Sequence, residues 1–168
     1  TMATFEQFQQ DPKAALWKQL DKEVAVLLGI EGITRFMMPM AAKPDHDADV
    51  IWFFTDHRNE TFGKLTEGAK AHICLSNNSD HFWADIQGTI EVSDNKEAIA
   101  NKWSADIEAW YEKGQDDDNL MLMAFKPVEA EISVSTSNPI KFSWQTVKAI
   151  LGEQSKPEIS ESTRVSFI

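Results

Sequence analysis

Cysteine is almost missing from this chain. Cys74 is the only one in 168 residues, so no intrachain disulfide can form, and its place in the apolar run Ala71–Leu75 fits a small buried strand residue. Positive charge is scarce too: 16 Lys and Arg stand against 27 Asp and Glu, giving a formal net charge of −11 and a pI near 4.7. That balance argues against nucleic acid and anionic membrane as partners, because both are polyanions and no basic stripe offsets the charge locally. No apolar run exceeds seven residues, whereas a spanning helix needs about twenty. With no leader-like segment and a solitary cysteine, a cytoplasmic location is expected.

Several kinds of chemistry lack their residues. His46, His57, His72 and His81 show no ligand-like spacing. Asp45, Asp47 and Asp49 alternate like the start of a calcium loop, but the required glycine and distal glutamate do not follow, so no metal is expected. There is no Gly-x-Ser-x-Gly, no phosphate-binding glycine loop and no dinucleotide-binding glycine fingerprint. No side chain stands out as a catalytic acid or base.

Aromatic residues, by contrast, are plentiful, with ten Phe and six Trp. Part of that surface is expected at a subunit interface or a ligand pocket. The length fits one domain, residues 1–168, with an N-terminal helical segment over 1–22 and a polar tail over 152–168. Asp11-Pro12 signals a helix start, and Leu16, Trp17 and Leu20 share one face. Five strand candidates follow: Val24–Ile30, Ile33–Ala41, Val50–Thr55, Ala71–Ser76 and Phe82–Val92, the last interrupted at Gly88, a place for a bulge or a close backbone approach. Thr61–Glu67 reads as a short helix. Asp94 opens another helix with Ile99, Trp103, Ile107 and Trp110 on one face, broken around Ser104–Asp106. Leu120–Phe125 and Val128–Val134 add two strands around Pro127, and Trp144–Leu151 a last helix. Consecutive strands with short connections predict a mainly β fold with flanking helices, a six- to seven-stranded antiparallel sheet closing into a barrel.

The run Asp49-Val-Ile-Trp-Phe-Phe-Thr-Asp56 is the most informative segment. It reads as a buried strand that delivers a hydroxyl and a polar loop to a fixed place. Together with Thr34-Arg-Phe-Met-Met-Pro-Met40 it makes either the floor of a flat anionic cofactor, with Arg35 and Thr55 as contacts, or a core hairpin whose arginine merely reaches water.

The order of these pieces resembles the general stress protein 26 family, within the pyridoxamine 5′-phosphate oxidase-like FMN-binding split-barrel superfamily. Arg35-Phe-Met37 looks like its Arg-x-Met motif, Trp52-Phe-Phe-Thr55 like its aromatic strand ending in threonine, and Leu75-Ser-Asn77 like its strand end. Gln87-Gly-Thr-Ile90 is similar to its Ser-Gly-Thr-Ala, and the stretch from Lys102 to Asp118, with tryptophans seven apart and then Gly-x-Asp-Asp, is similar to its usual helix and loop. The resemblance implies a split barrel forming a homodimer, with FMN at the subunit interface. Arg35, Phe36 and Met37 would lie along the flavin and ribityl chain, and Phe53, Phe54 and Thr55 at the ring edge.

Several positions depart from the family pattern, among them Met38-Pro39 in place of the small hydroxyl residues often seen there. Asn59 stands where a serine is usual and Thr61 where a phosphate-binding lysine is usual, which leaves Arg58, Lys64 or the start of the Thr61–Glu67 helix to hold the phosphate. The resemblance implies an FMN-dependent oxidoreductase acting on an unidentified small molecule. The alternative is a stress protein that binds a flavin or another ligand without turnover. The oxidase activity that names the superfamily is not expected, since its C-terminal arginine motif is not seen.

Overall fold

The computed structural model describes residues 4–22, 25–136, 147–148, 150–152 and 160–168. Helices α1 (Thr4–Gln10) and α2 (Pro12–Lys22) precede an antiparallel sheet of β1 (Ala25–Ile30), β2 (Met38–Ala41), β3 (Lys43–Asp45), β4 (Val50–Asp56), β5 (Ala69–Asn77), β6 (Phe82–Ser93), β7 (Leu120–Ser135) and β8 (Ser160–Ser166). Strand order is β2-β1-β5-β6-β7-β4-β3, and β8 pairs with β7 beside β4. The sheet curls into the antiparallel split barrel that the family resemblance implies, with β8 bringing the expected six or seven strands to eight. No helix among the described residues is long and apolar enough to cross a membrane.

Alternation places Val26, Leu28, Ile30, Ile73, Leu75, Ile86 and Ile132 inside the curl, where α1 and α2 add Phe5, Phe8, Leu16, Trp17 and Leu20. Asp11 opens α2 as its sequence signals, with Oδ1 accepting from the Ala14 N–H at 3.0 Å. A buried polar knot then ties α2 to the end of β5. Asn77 Nδ2 donates to Gln19 Oε1 at 2.7 Å, and Gln19 Nε2 and Lys22 Nζ each donate to Asp80 at 2.9 Å.

Strand β4, like the Met121–Phe125 part of β7 that it pairs with, has both of its faces covered. Ile51 and Phe53 point into the barrel, while Val50, Trp52 and Phe54 pack with Ala98, Ile99, Leu122 and Ala124 under helix α3 (Lys96–Lys102). A strand buried on both faces has no reason to alternate, and this accounts for the unbroken apolar run.

Several elements differ from the sequence expectation. Ile33–Ala41 is not one strand: Gly32 turns at φ 76°, Thr34 Oγ1 accepts from the Ile30 N–H at 2.8 Å, and the ladder starts only at Met38. Thr61–Glu67 shrinks to a 3-10 turn at Phe62–Lys64. The capping residue of α3 is Asn95 rather than Asp94, accepting from the Ala98 N–H at 3.0 Å. The break near Ser104 is present, and a separate short helix α4 spans Ala105–Glu108. Pro127 does not split β7. It lies at a bulge opposite Gly88, between the β4 pairing that ends at Phe125 and the β8 pairing that begins at Glu129. The tail supplies β8 through main-chain pairing with β7. Half of the helix expected over Trp144–Leu151 lies outside the described residues; Val147, Lys148 and Ile150 are helical.

Candidate functional site

Strand β3 pairs with β4 only as far as Trp52, so from Phe53 to Asp56 the outer edge of β4 has no strand partner among the described residues. Main-chain groups there lack a ladder partner on that side, and the Thr55 carbonyl is engaged by a side chain instead. Beside this edge lies a cavity of about 650 Å³, between β2, the turn after β4 and α4. Met38, Met40, Phe54, Ile107, Trp110 and Tyr111 give it apolar walls, and Thr55, Asp56, Arg58 and Asn59 give it a polar end. Flat apolar walls with a few placed polar groups suit a planar, partly polar ring system.

Tyr111, the only tyrosine, is the site residue that sequence reasoning missed. Its hydroxyl donates to the Thr55 carbonyl at 2.5 Å, across a separation of 56 residues. Burial, with Asp56 and Asp117 nearby, pushes its pKa up to about 12, so it stays a neutral donor. Its ring lies 5.9 Å from Trp103, which meets Phe54 edge-on at 6.0 Å. Trp103 therefore packs structurally. Trp110 instead is 80% exposed on the rim and does not continue the apolar face of Ile99, Trp103 and Ile107.

The polar end is closed on itself. Arg58 grips Asp56 through Nε at 3.0 Å and Nη2 at 2.6 Å, and its backbone N–H donates to the same carboxylate at 2.7 Å. Hydrogen bonds from the Arg58 side chain and backbone lower the Asp56 pKa from an ordinary 3.8 to about 2. A carboxylate whose pKa is depressed on folding stabilises the fold above its unfolded value and loses that contribution as the pH falls through the folded one. Stability should therefore drop between pH 4 and pH 2, and the drop should be shallower in Asp56→Asn; urea midpoints across that range check it.

The expected site residues do not all meet within one chain. Phe54, Thr55, Arg58 and Asn59 line the 650 Å³ cavity, whereas Phe53 is fully buried and does not line it. Asn59 Oδ1 accepts from the Thr61 and Phe62 N–H groups at 2.9 Å each, so those amides are already engaged. Lys64 ends the 3-10 turn and does not line the cavity. Arg35, Phe36 and Met37 line a second cavity of about 420 Å³ with Gly29, His72 and Gln87. There the Arg35 guanidinium lies 5.2 Å from the Phe36 ring centre. His72 is exposed on the outer face of β5.

An antiparallel split barrel with an open aromatic cavity at a free strand edge defines the structural class. The family Pyridoxamine 5′-phosphate oxidase like matches residues 11–158, and the chain belongs to it. Among solved structures it is similar to a provisionally assigned general stress protein 26 from Jannaschia sp. CCS1, at 30% identity and a TM-score of 0.78, over 94% of this chain and 99% of that one. It is also similar to the general stress FMN/FAD binding protein of Xanthomonas citri, at 27% identity and a TM-score of 0.70, over 77% of this chain and 92% of that one. A protein related to general stress protein 26 from Clostridium acetobutylicum, at 12% identity and a TM-score of 0.63 over 96% and 95% of the two chains, shares the fold. No curated protein matches.

Proposed function

We propose that this chain is a cytoplasmic FMN-binding general stress protein that works as a homodimer, with the flavin ring seated against the free edge of β4. The observation that carries this reading is the 650 Å³ cavity, where apolar side chains flank a stretch of β4 that has no strand partner on that side among the described residues. A flavin needs such a slot, with a few fixed hydrogen bonds at the ring edge. The FMN/FAD binding relative from Xanthomonas citri supports it.

Support for a second copy comes from the outer face of the sheet. Leu27 is 43% and Trp83 37% exposed there, and the buried Oδ1 of Asp85 has no hydrogen-bond partner among the described residues. Large apolar side chains exposed on one sheet face favour a covering surface. A second copy would also offer Arg35, Phe36 and Met37 to the flavin and ribityl chain, joining residues that one chain keeps in separate cavities.

Bound flavin would supply hydride and electron transfer, and the chain would orient the ring and exclude water. Turnover of a small-molecule substrate is the finer part of the proposal. A non-catalytic role is favoured by one observation: Asp56 near 2, Tyr111 near 12 and the paired Arg58 offer no group poised for proton transfer near neutral pH. FMN titration followed by absorbance near 450 nm tests binding, and oxidation of a reduced nicotinamide by the loaded protein tests turnover. Arg35→Ala should weaken FMN binding by roughly 1.5–3 kcal/mol. Unchanged affinity would remove Arg35 from the site.

A further inference from the structure

Both cations that line the 650 Å³ cavity are held by carboxylates that line it too. Arg58 makes its two-pronged contact with Asp56, and Lys43 Nζ lies 3.6 Å from Asp106 Oδ2. Asp106 is itself fixed by a hydrogen bond from the Ser104 hydroxyl. The four charges sum to zero within the lining. Arg58 also feels Asp117 and Glu112, so the field around it is acidic beyond its own partner.

The turn after β4 is satisfied in the same way. Its Thr61 and Phe62 amides, the neutral donors that could cradle an anion, are taken by the Asn59 side chain. Asn59 and Thr61 can still donate from neutral groups, but neither adds charge. A phosphate dianion would have to share Arg58 with Asp56, whose carboxylate already neutralises the guanidinium, in an acidic protein of formal charge −11. A neutral ring and a polyhydroxyl chain meet no such obstacle.

We infer that the cavity recognises the ring and ribityl part of a flavin and gives its terminal phosphate little, so that riboflavin binds about as tightly as FMN. The Asp56–Arg58 and Lys43–Asp106 ion pairs and the Asn59-capped turn are what withhold the phosphate's partners. This inference rests on the flavin reading of the site and deepens it. Arg35, lying along the shared ring and ribityl part, would affect both flavins alike.

The test compares dissociation constants for riboflavin and FMN in the full-length protein and in Asp56→Asn. Asparagine keeps an oxygen to accept the Arg58 backbone N–H but frees the guanidinium. The wild-type preference for FMN over riboflavin should be below about fivefold, and it should rise about tenfold in D56N. A larger wild-type preference, or one that stays level or falls in D56N, overturns the inference, because Asp56 would then be aligning Arg58 for phosphate.

A second arm needs no flavin. Inorganic phosphate is titrated while the Arg58 guanidinium NMR signal is followed, assigned by its loss in Arg58→Gln. Little change is expected in the wild type up to about 10 mM phosphate, and a saturating shift in D56N. Wild-type saturation below that concentration overturns the inference. Failure of both flavins to bind would sink the flavin reading alone, with the phosphate arm still deciding whether Asp56 withholds Arg58.

Discussion

Gly88→Ala is expected to destabilise the fold by about 3 kcal/mol, read as a lower urea midpoint with an unchanged slope. A Cβ at this position would sit 2.2 Å from the Lys126 carbonyl oxygen, 2.9 Å from its carbon and 3.0 Å from Phe125 Cζ. Two of these atoms are backbone of the neighbouring strand, and Phe125 is fully buried, so none can move cheaply. The ordinary benefit of replacing glycine, about 0.4–1 kcal/mol from a less flexible unfolded chain, is smaller than the cost of prying β6 from β7. The site lies at the bulge where Gln87 faces Glu129 and Gly88 faces Pro127, which leaves Val128 as the extra residue. A loss below about 1 kcal/mol would show that the bulge absorbs a methyl group and that the close approach is not tight.

Gly88 shows what a single sequence can carry. A glycine interrupting an alternating strand implies a bulge or a close approach, and the structure has both at that residue. The strands are legible for the same kind of reason, because period-two burial and glycine turns are written locally. Pro127 misleads, since a proline looks like a strand boundary unless a bulge is known to lie opposite it. Arg35 misleads for a different reason. It follows a glycine turn locked by the Thr34 side chain, and side-chain bonds of that sort leave no mark in hydrophobic pattern.

The candidate site is half legible. Thr55 and the polar turn after it are marked by the abrupt end of an apolar run. The pairing of Arg58 with Asp56 is not, because two residues so close in sequence face each other only when the turn brings them together. Tyr111 is hidden by distance along the chain: its role exists only once α4 docks beside β4. These are contacts set by tertiary geometry, and composition does not encode them.

Phe53→Ala should cost about 3–5 kcal/mol of unfolding free energy, the range for a large aromatic removed from a packed interior. Phe53 is fully buried, faces Met123 across the ladder and belongs to the main cluster inside the barrel. Its neighbour Phe54 takes the opposite face, half-buried against Trp103 and lining the cavity. From sequence the two phenylalanines are equivalent, because a strand covered on both faces gives no alternation to tell them apart. Their positions in the fold set one in the packed core and the other against the cavity. Phe53→Ala should therefore lower the denaturation midpoint sharply, while Phe54→Ala should show its larger effect in flavin affinity. If Phe53→Ala costs less than about 1 kcal/mol, β4 is not packed tightly on both faces, and its unbroken apolar run must have another cause.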